Sequence, residues 1–279
     1  MTYRNILLNL DATPECSVRI AATLDLASRF DAHVIGLAAI GIPPILYGPE
    51  MALSGPLVAQ MQDELEQQAR RATGQFEAAA KRQGYVRVET RVADFDEASA
   101  MAQSARYADL VVIGQEGPGH TSLDAGRLTP GNMVLASPRP VLVIPYIGAP
   151  AGFGKHILIA WNGSREACRA VADALPLLAA AERVTVMAVN PDAGNADHGA
   201  LPGADLAKYL ASHNVKVEAQ ADPGAAIDVG NELLSRAADL GADLIVMGAY
   251  GHSRAREWVF GGVTRTILGS MTMPVLMSH

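Results

Sequence analysis

Residues 244–264 hold the spacing that most suggests chemistry. Leu244-Ile245-Val246-Met247 is an apolar run that stops at Gly248. Gly251 follows after two residues, and after nine more come Gly261, Gly262, Val263 and Thr264. Glycine has no Cβ, so backbone N–H groups at these points can come close to a ligand. A helix opening near Val263 would aim its unpaired N–H groups at the same place, and such groups attract anions. The chemistry on offer is a phosphate cradle built from backbone, with Thr264 adding a hydroxyl. Gly248 and Gly251 alone would merely end a strand and turn the chain; the long pattern G-x2-G-x9-G followed by G-V-T is what points to phosphate.

Other chemistries find no anchor. Neither G-x-x-x-x-G-K-[ST] nor G-x-G-x-x-G occurs, and Ser164 lies in NGSRE rather than in a G-x-S-x-G elbow. The seven histidines are scattered, with no ligand spacing at His198 and His213. Cys16 and Cys168 show no C-x-x-C spacing, so a disulfide framework and a thiolate zinc site are both excluded. Each reads as a small buried apolar residue on a helix. The net charge of −7 argues against nucleic acid, which needs a basic face. No apolar run approaches the ~20 residues of a membrane span, and MTYRNILLNLD lacks the marks of a signal peptide. With 49% apolar and 18% charged residues, the composition is that of a globular chain, expected in the cytoplasm and not in a membrane.

The glycines need a strand that ends at them and a helix that leaves from them, and the chain supplies this arrangement twice. YRNILLNLD (3–11) and KHILIAWN (155–162) share a polar lead-in, an apolar run and then Asp11 or Asn162. Alanine-rich helical patterns follow near 14–30 and 164–180, capped by Thr13 with Pro14, and by Ser164. RYADLVVIGQEG (106–117) parallels DLGADLIVMGAYG (239–251), and RPVLVIP (139–145) parallels MPVLMSH (273–279). Gly114 to Pro140 and Gly248 to Pro274 both span 26 residues, as a tandem duplication requires. The halves are 1–147 and 152–279, joined by Gly148-Ala149-Pro150-Ala151-Gly152. Strands are predicted near 4–10, 33–40, 85–92, 109–114 and 141–146, and again near 156–161, 183–190, 215–220, 243–248 and 274–278. Their alternation with helices implies parallel sheets and right-handed crossovers. A long helix is predicted at about 57–83. Ahead of it GIPPILYGPEMALSGP reads as a lid, a contact surface or a plain loop, and its counterpart PDAGNADHGALPG is more polar.

Over nearly its whole length the chain resembles a tandem universal stress protein. The family signature is G-x2-G-x9-G-(S/T), matched by Gly248, Gly251 and Gly261; Gly262 stands where nucleotide binders of the family carry Ser or Thr, and Thr264 matches a second hydroxyl position. GHSRAREWVFGGVTRTIL and LTPGNMVLASPRPVLVIP are similar to that tandem subgroup. The resemblance implies an α/β fold of two tandem five-stranded parallel-sheet sandwiches, adenine nucleotide alpha hydrolase-like. It also implies a site for an adenine nucleotide: Ala160, Trp161, Asn162 and Val189 near adenosine, with Val189 offering backbone to adenine. Met247, Gly248, Gly251, Gly261, Gly262, Val263 and Thr264 would lie around the phosphates. Asn162 replaces the family's usual Asp. Its amide can bond a ribose hydroxyl without recruiting a metal, or it can serve as a turn or capping residue.

In the first half Gly114 and Gly117 survive. Arg127, Leu128, Thr129 and Pro130 then fall opposite Gly261, Gly262, Val263 and Thr264, and Glu116 and Asp124 would repel phosphate. Nucleotide is therefore expected in the second half only: ATP before AMP or ADP, with Mg²⁺ left open. Glu257 is the glycine loop's only carboxylate and nothing holds His252 in place as a base, so slow hydrolysis or none is expected. Two alternatives stand: a stress-related interaction or dimerisation module that binds no nucleotide, and, ranked last, an ATP-hydrolysing enzyme. The last strands of the halves, 141–146 and 274–278, are expected to cover each other in a pseudo-dimer within the chain, with a homodimer left open.

Overall fold

The computed structural model describes residues 2–41, 55–117, 128–189, 203–222, 228–251 and 262–279. Most of the two insertions, and the loop residues His252 to Gly261 with Arg127 in the other half, lie outside them.

The chain runs β1 (Asn5–Asn9), α1 (Cys16–Phe30), β2 (His33–Ala39), α2 (Gly55–Arg82), β3 (Val88–Ala93), α3 (Glu97–Ser104), β4 (Leu110–Gly114), α4 (Pro130–Ala136) and β5 (Val141–Ile144). It continues with β6 (His156–Ala160), α5 (Arg165–Ala180), β7 (Arg183–Val189), α6 (Ala204–Ser212), β8 (Val217–Asp222), α7 (Val229–Asp239), β9 (Leu244–Gly248), α8 (Gly262–Ser270) and β10 (Val275–Ser278). This is an α/β fold, as the alternation of apolar runs and helical patterns predicts.

The repeat halves are units of sequence; contacts divide the chain a little differently. Residues 2–139 with 146–148 form a first compact unit, and residues 140–145 with 149–279 form a second. In the first unit the strand order is β3-β2-β1-β4, all parallel. In the second it is β5-β10-β9-β6-β7-β8, parallel except where β5 meets β10. There the two last strands pair antiparallel, with Val143 opposite Val275, Leu142 opposite Leu276 and Val141 opposite Met277. All six are fully buried. The central strands β4, β5, β9 and β10 are covered on both faces, which is why they read as continuous apolar runs and not as alternating ones. Each fully buried Val, Leu or Ile side chain in them contributes roughly 1.5–3 kcal/mol.

Four local expectations are corrected, each for a visible reason. β3 begins at Val88 rather than near 85, because the Tyr85 N–H is spent on the Ala80 carbonyl at 2.9 Å, closing α2, and Val86 is 86% exposed. β8 begins at Val217 rather than 215, because the Val215 N–H is spent on the Leu210 carbonyl at 3.1 Å, closing α6. Thr13 does not cap α1. Its N–H donates to the Asp11 carboxylate at 3.0 Å, and the helix starts two residues beyond Pro14, with Glu15 at its cap position. Cys16 is buried as expected, but Cys168 lies on the exposed side of α5.

Candidate functional site

In the second unit, β6 lies between β7 on one side and β9 on the other. The chain leaves β6 toward β7 and β8, then returns to the opposite side as β9. Such a reversal opens a crevice beyond the carboxyl ends of the two central strands, where open α/β sheets bind ligands. Ala160 ends β6 directly opposite Met247, and Gly248 ends β9 one residue later. Trp161 continues along β7, its N–H donating to the Met187 carbonyl at 2.8 Å. Val189 ends β7, its backbone paired with Asp222. The fold thus gathers Ala160, Trp161, Asn162, Met247 and Gly248 at one end of the sheet, with Val189 on the neighbouring strand.

Asn162 makes a turn: its side-chain oxygen accepts the Ser164 N–H at 3.1 Å. The Ser164 hydroxyl then accepts the Ala167 N–H at 3.2 Å and caps α5, as expected. Among the described residues none accepts a hydrogen bond from the amide NH₂ of Asn162. Gly262 opens α8, and a Cβ placed on it meets no described atom within 4 Å. Val263 is half-buried in the first turn of α8, and Thr264 is only 3% exposed. Gly261 lies outside the described residues.

The two glycines at the strand's end answer to the protein itself. A Cβ on Gly248 would run into the backbone of Glu166 and Ala167, where α5 starts. A Cβ on Gly251 would stand 2.5 Å from Glu166 Oε2 and 3.3 Å from the Ser164 hydroxyl. Tyr250 between them takes a left-handed backbone with φ 57°, uncommon for a residue that carries a Cβ. The sequence does not announce Glu166 as part of the site. It comes from a helix far from the loop in the chain, yet it sets a carboxylate against Gly251. Glu166 is 7% exposed, and its ion pair with Arg165 is long, 3.5 Å, to a side chain that is 96% exposed. The one sequence cue is its place in the first turn of α5, where the helix dipole favours a carboxylate.

The first unit has the same reversal, between β1 and β4, filled by its own side chains. A Cβ on Gly114 would collide with the guanidinium of Arg19. Arg19, 2% exposed, donates through Nε to the Asn9 carbonyl at 3.0 Å and through Nη2 to Asp11 at 2.7 Å. Glu97 reaches in from α3, accepting from the Asn9 amide at 2.8 Å and from the Leu128 N–H at 3.3 Å, and burial pushes its carboxyl above the usual range. The cavity left among these groups is about 30 Å³, room for roughly one water. α4 also closes its own start: the Thr129 hydroxyl accepts the Asn132 N–H at 3.1 Å and the Asn132 side chain accepts the Thr129 N–H at 2.8 Å. With those donors satisfied and Pro130 supplying none, the helix start has little left for an anion. Among the described residues no cluster of His, Cys, Asp and Glu is arranged to hold a metal ion by itself. No helix among them is long and apolar enough to cross a membrane.

With this geometry in hand, the chain can be set beside known proteins. The model of the universal stress protein family matches residues 2–145 and 154–279. A universal stress protein from Archaeoglobus fulgidus DSM 4304 is similar in structure, with a TM-score of 0.72 at 14% identity over 98% of this chain and 95% of that one. A functionally unknown protein from Pseudomonas aeruginosa PAO1 is similar with a TM-score of 0.60 at 16% identity, over 99% of this chain and 92% of that one. At such identities the likeness is one of fold. No curated protein is significantly similar in sequence.

Proposed function

The chain belongs to the universal stress protein family, and on that premise we propose that it is a regulatory protein that binds one adenine nucleotide in its second half. ATP is preferred over AMP or ADP, and the protein acts in the cytoplasm. The observation that carries this reading is the difference between the two strand reversals. In the first unit Arg19 stands against Gly114, Glu97 fills the remaining space and α4 is capped by its own side chains. In the second, the ends of β6 and β9 face the start of α5, and Gly262 opens α8 with no described atom within 4 Å of where a side chain would start. Adenosine would lie by Ala160, Trp161 and Val189, with a ribose hydroxyl toward the Asn162 amide. The phosphates would lie toward the backbone of Gly248, Gly251 and the start of α8. Backbone N–H groups hold a ground-state phosphate as well as a transition state, so affinity comes without rate.

Gly262→Trp tests this. The position is exposed and no described atom lies within 4 Å of a Cβ there, so the variant keeps its thermal midpoint while ATP affinity in calorimetry falls by more than about tenfold, the worth of one well-placed contact. Unchanged affinity would remove the phosphate assignment. A second reading, an interaction module without nucleotide, draws on one observation: the packing of α5 already accounts for Gly248 and Gly251. Absence of any nucleotide binding by the wild-type chain would favour it.

A further inference from the structure

Among the described residues Glu166 is the one buried acid in the second unit's glycine site, and the nucleotide reading does not use it. Its carboxylate lies beside Gly251, 2.5 Å from where a Cβ would stand, with the Ser164 hydroxyl on the same side. Nine-tenths of the side chain is hidden from solvent, and its described ion pair is the long one to exposed Arg165. The nucleotide reading sets phosphates toward the Gly251 backbone, so the attraction of backbone N–H groups and the repulsion of this carboxylate would act on one ligand. Since charge interactions strengthen as water is excluded, the two effects are both felt by whatever group sits there.

We propose that Glu166 sets how much phosphate charge the site accepts. This rests on the second half binding an adenine nucleotide, and it adds the residue that grades one such ligand against another. Each added phosphate brings more negative charge toward the Glu166 carboxylate, so free nucleotides are penalised in proportion to their charge. A divalent cation lying between carboxylate and phosphate relieves that penalty, both being oxygen donors suited to a hard cation. Uncharged adenosine feels none of this. The site is thereby tuned away from bare polyphosphate and toward a charge-compensated one.

The test is calorimetry of adenosine, AMP and ATP against the full wild-type chain and Glu166→Gln, first in EDTA and then in excess Mg²⁺. In EDTA the substitution strengthens ATP by about tenfold or more, AMP by less, and adenosine not at all. Mg²⁺ narrows the difference between the two proteins for ATP. Equal changes for the three ligands, or none, overturn the proposal and leave nucleotide binding standing. If none of the three binds either protein, both this proposal and the nucleotide assignment fall. Should Glu166→Gln not fold, the wild type alone decides. Mg²⁺ must then strengthen ATP and leave adenosine unchanged, and an ATP affinity indifferent to Mg²⁺ overturns the proposal.

Discussion

At the scale of single residues, the first unit is decided by Arg19. Its guanidinium is held by the Asn9 carbonyl and by Asp11, and it stands where a ligand would otherwise approach Gly114. Arg19→Met leaves Asp11 without its buried partner and should cost about 3 kcal/mol in denaturant unfolding, the lower end of the range for breaking a buried pair. A loss near zero would show that the pair is ornamental. Glu97 gives a second handle. Burial first, and then nearby Asp11, raises its carboxyl above the ordinary 4.5, against the hydrogen bonds from Asn9 and Leu128 and the pull of Arg19. A carboxyl raised in the folded state binds more protons folded than unfolded. Its contribution to stability therefore grows as pH falls through the folded value and levels off below the ordinary one. Thermal melts should show the wild type gaining on Glu97→Gln as pH drops from about 7 toward the unfolded value; a gap that widens the other way would contradict the burial argument. None of this was legible beforehand. Asn9, Arg19, Glu97 and Gly114 are spread across the first half of the chain, and nothing in their spacing says that they meet. Glu166 escaped for the same reason, whereas Asn162 could be read either way until its turn with Ser164 was seen.

At the scale of elements, the apolar runs were enough to place the inner strands, because strands buried on both faces carry an unbroken apolar signature, whereas β3 (VETRVA) and β8 (VEAQAD) carry no such run. The misses came where the preceding helix claimed a backbone N–H first, as at Tyr85 and Val215. The pairing of β5 with β10 follows from the same burial: two apolar last strands left as open edges would invite aggregation. Leu276→Glu places a carboxylate opposite Leu142 in a fully buried layer. It should lower stability by roughly 3 kcal/mol or more, or drive the protein into aggregates. A soluble variant with the wild-type melting temperature would show that this pairing does not hold the second unit's sheet together.

At the scale of the whole molecule, duplication was legible because equal 26-residue spacings recur in both halves, and the family model matches two consecutive segments in agreement. The duplication has left two strand reversals with different contents. One is closed by Arg19, Glu97 and a self-capped α4. The other ends in glycines beneath the first turn of α5. On the proposed reading the nucleotide is an occupant rather than a substrate, so steady-state ATP turnover should stay below roughly 1 s⁻¹, the low end of ordinary enzymes. Faster turnover that vanished with Glu257→Gln would make it an enzyme. The most direct check on the division of labour between the halves is the calorimetric stoichiometry of ATP with the full-length chain in Mg²⁺. One ATP per chain is the predicted result. Two per chain would mean that Arg19 and Glu97 do not close the first site, and none would mean that the second is not a nucleotide site.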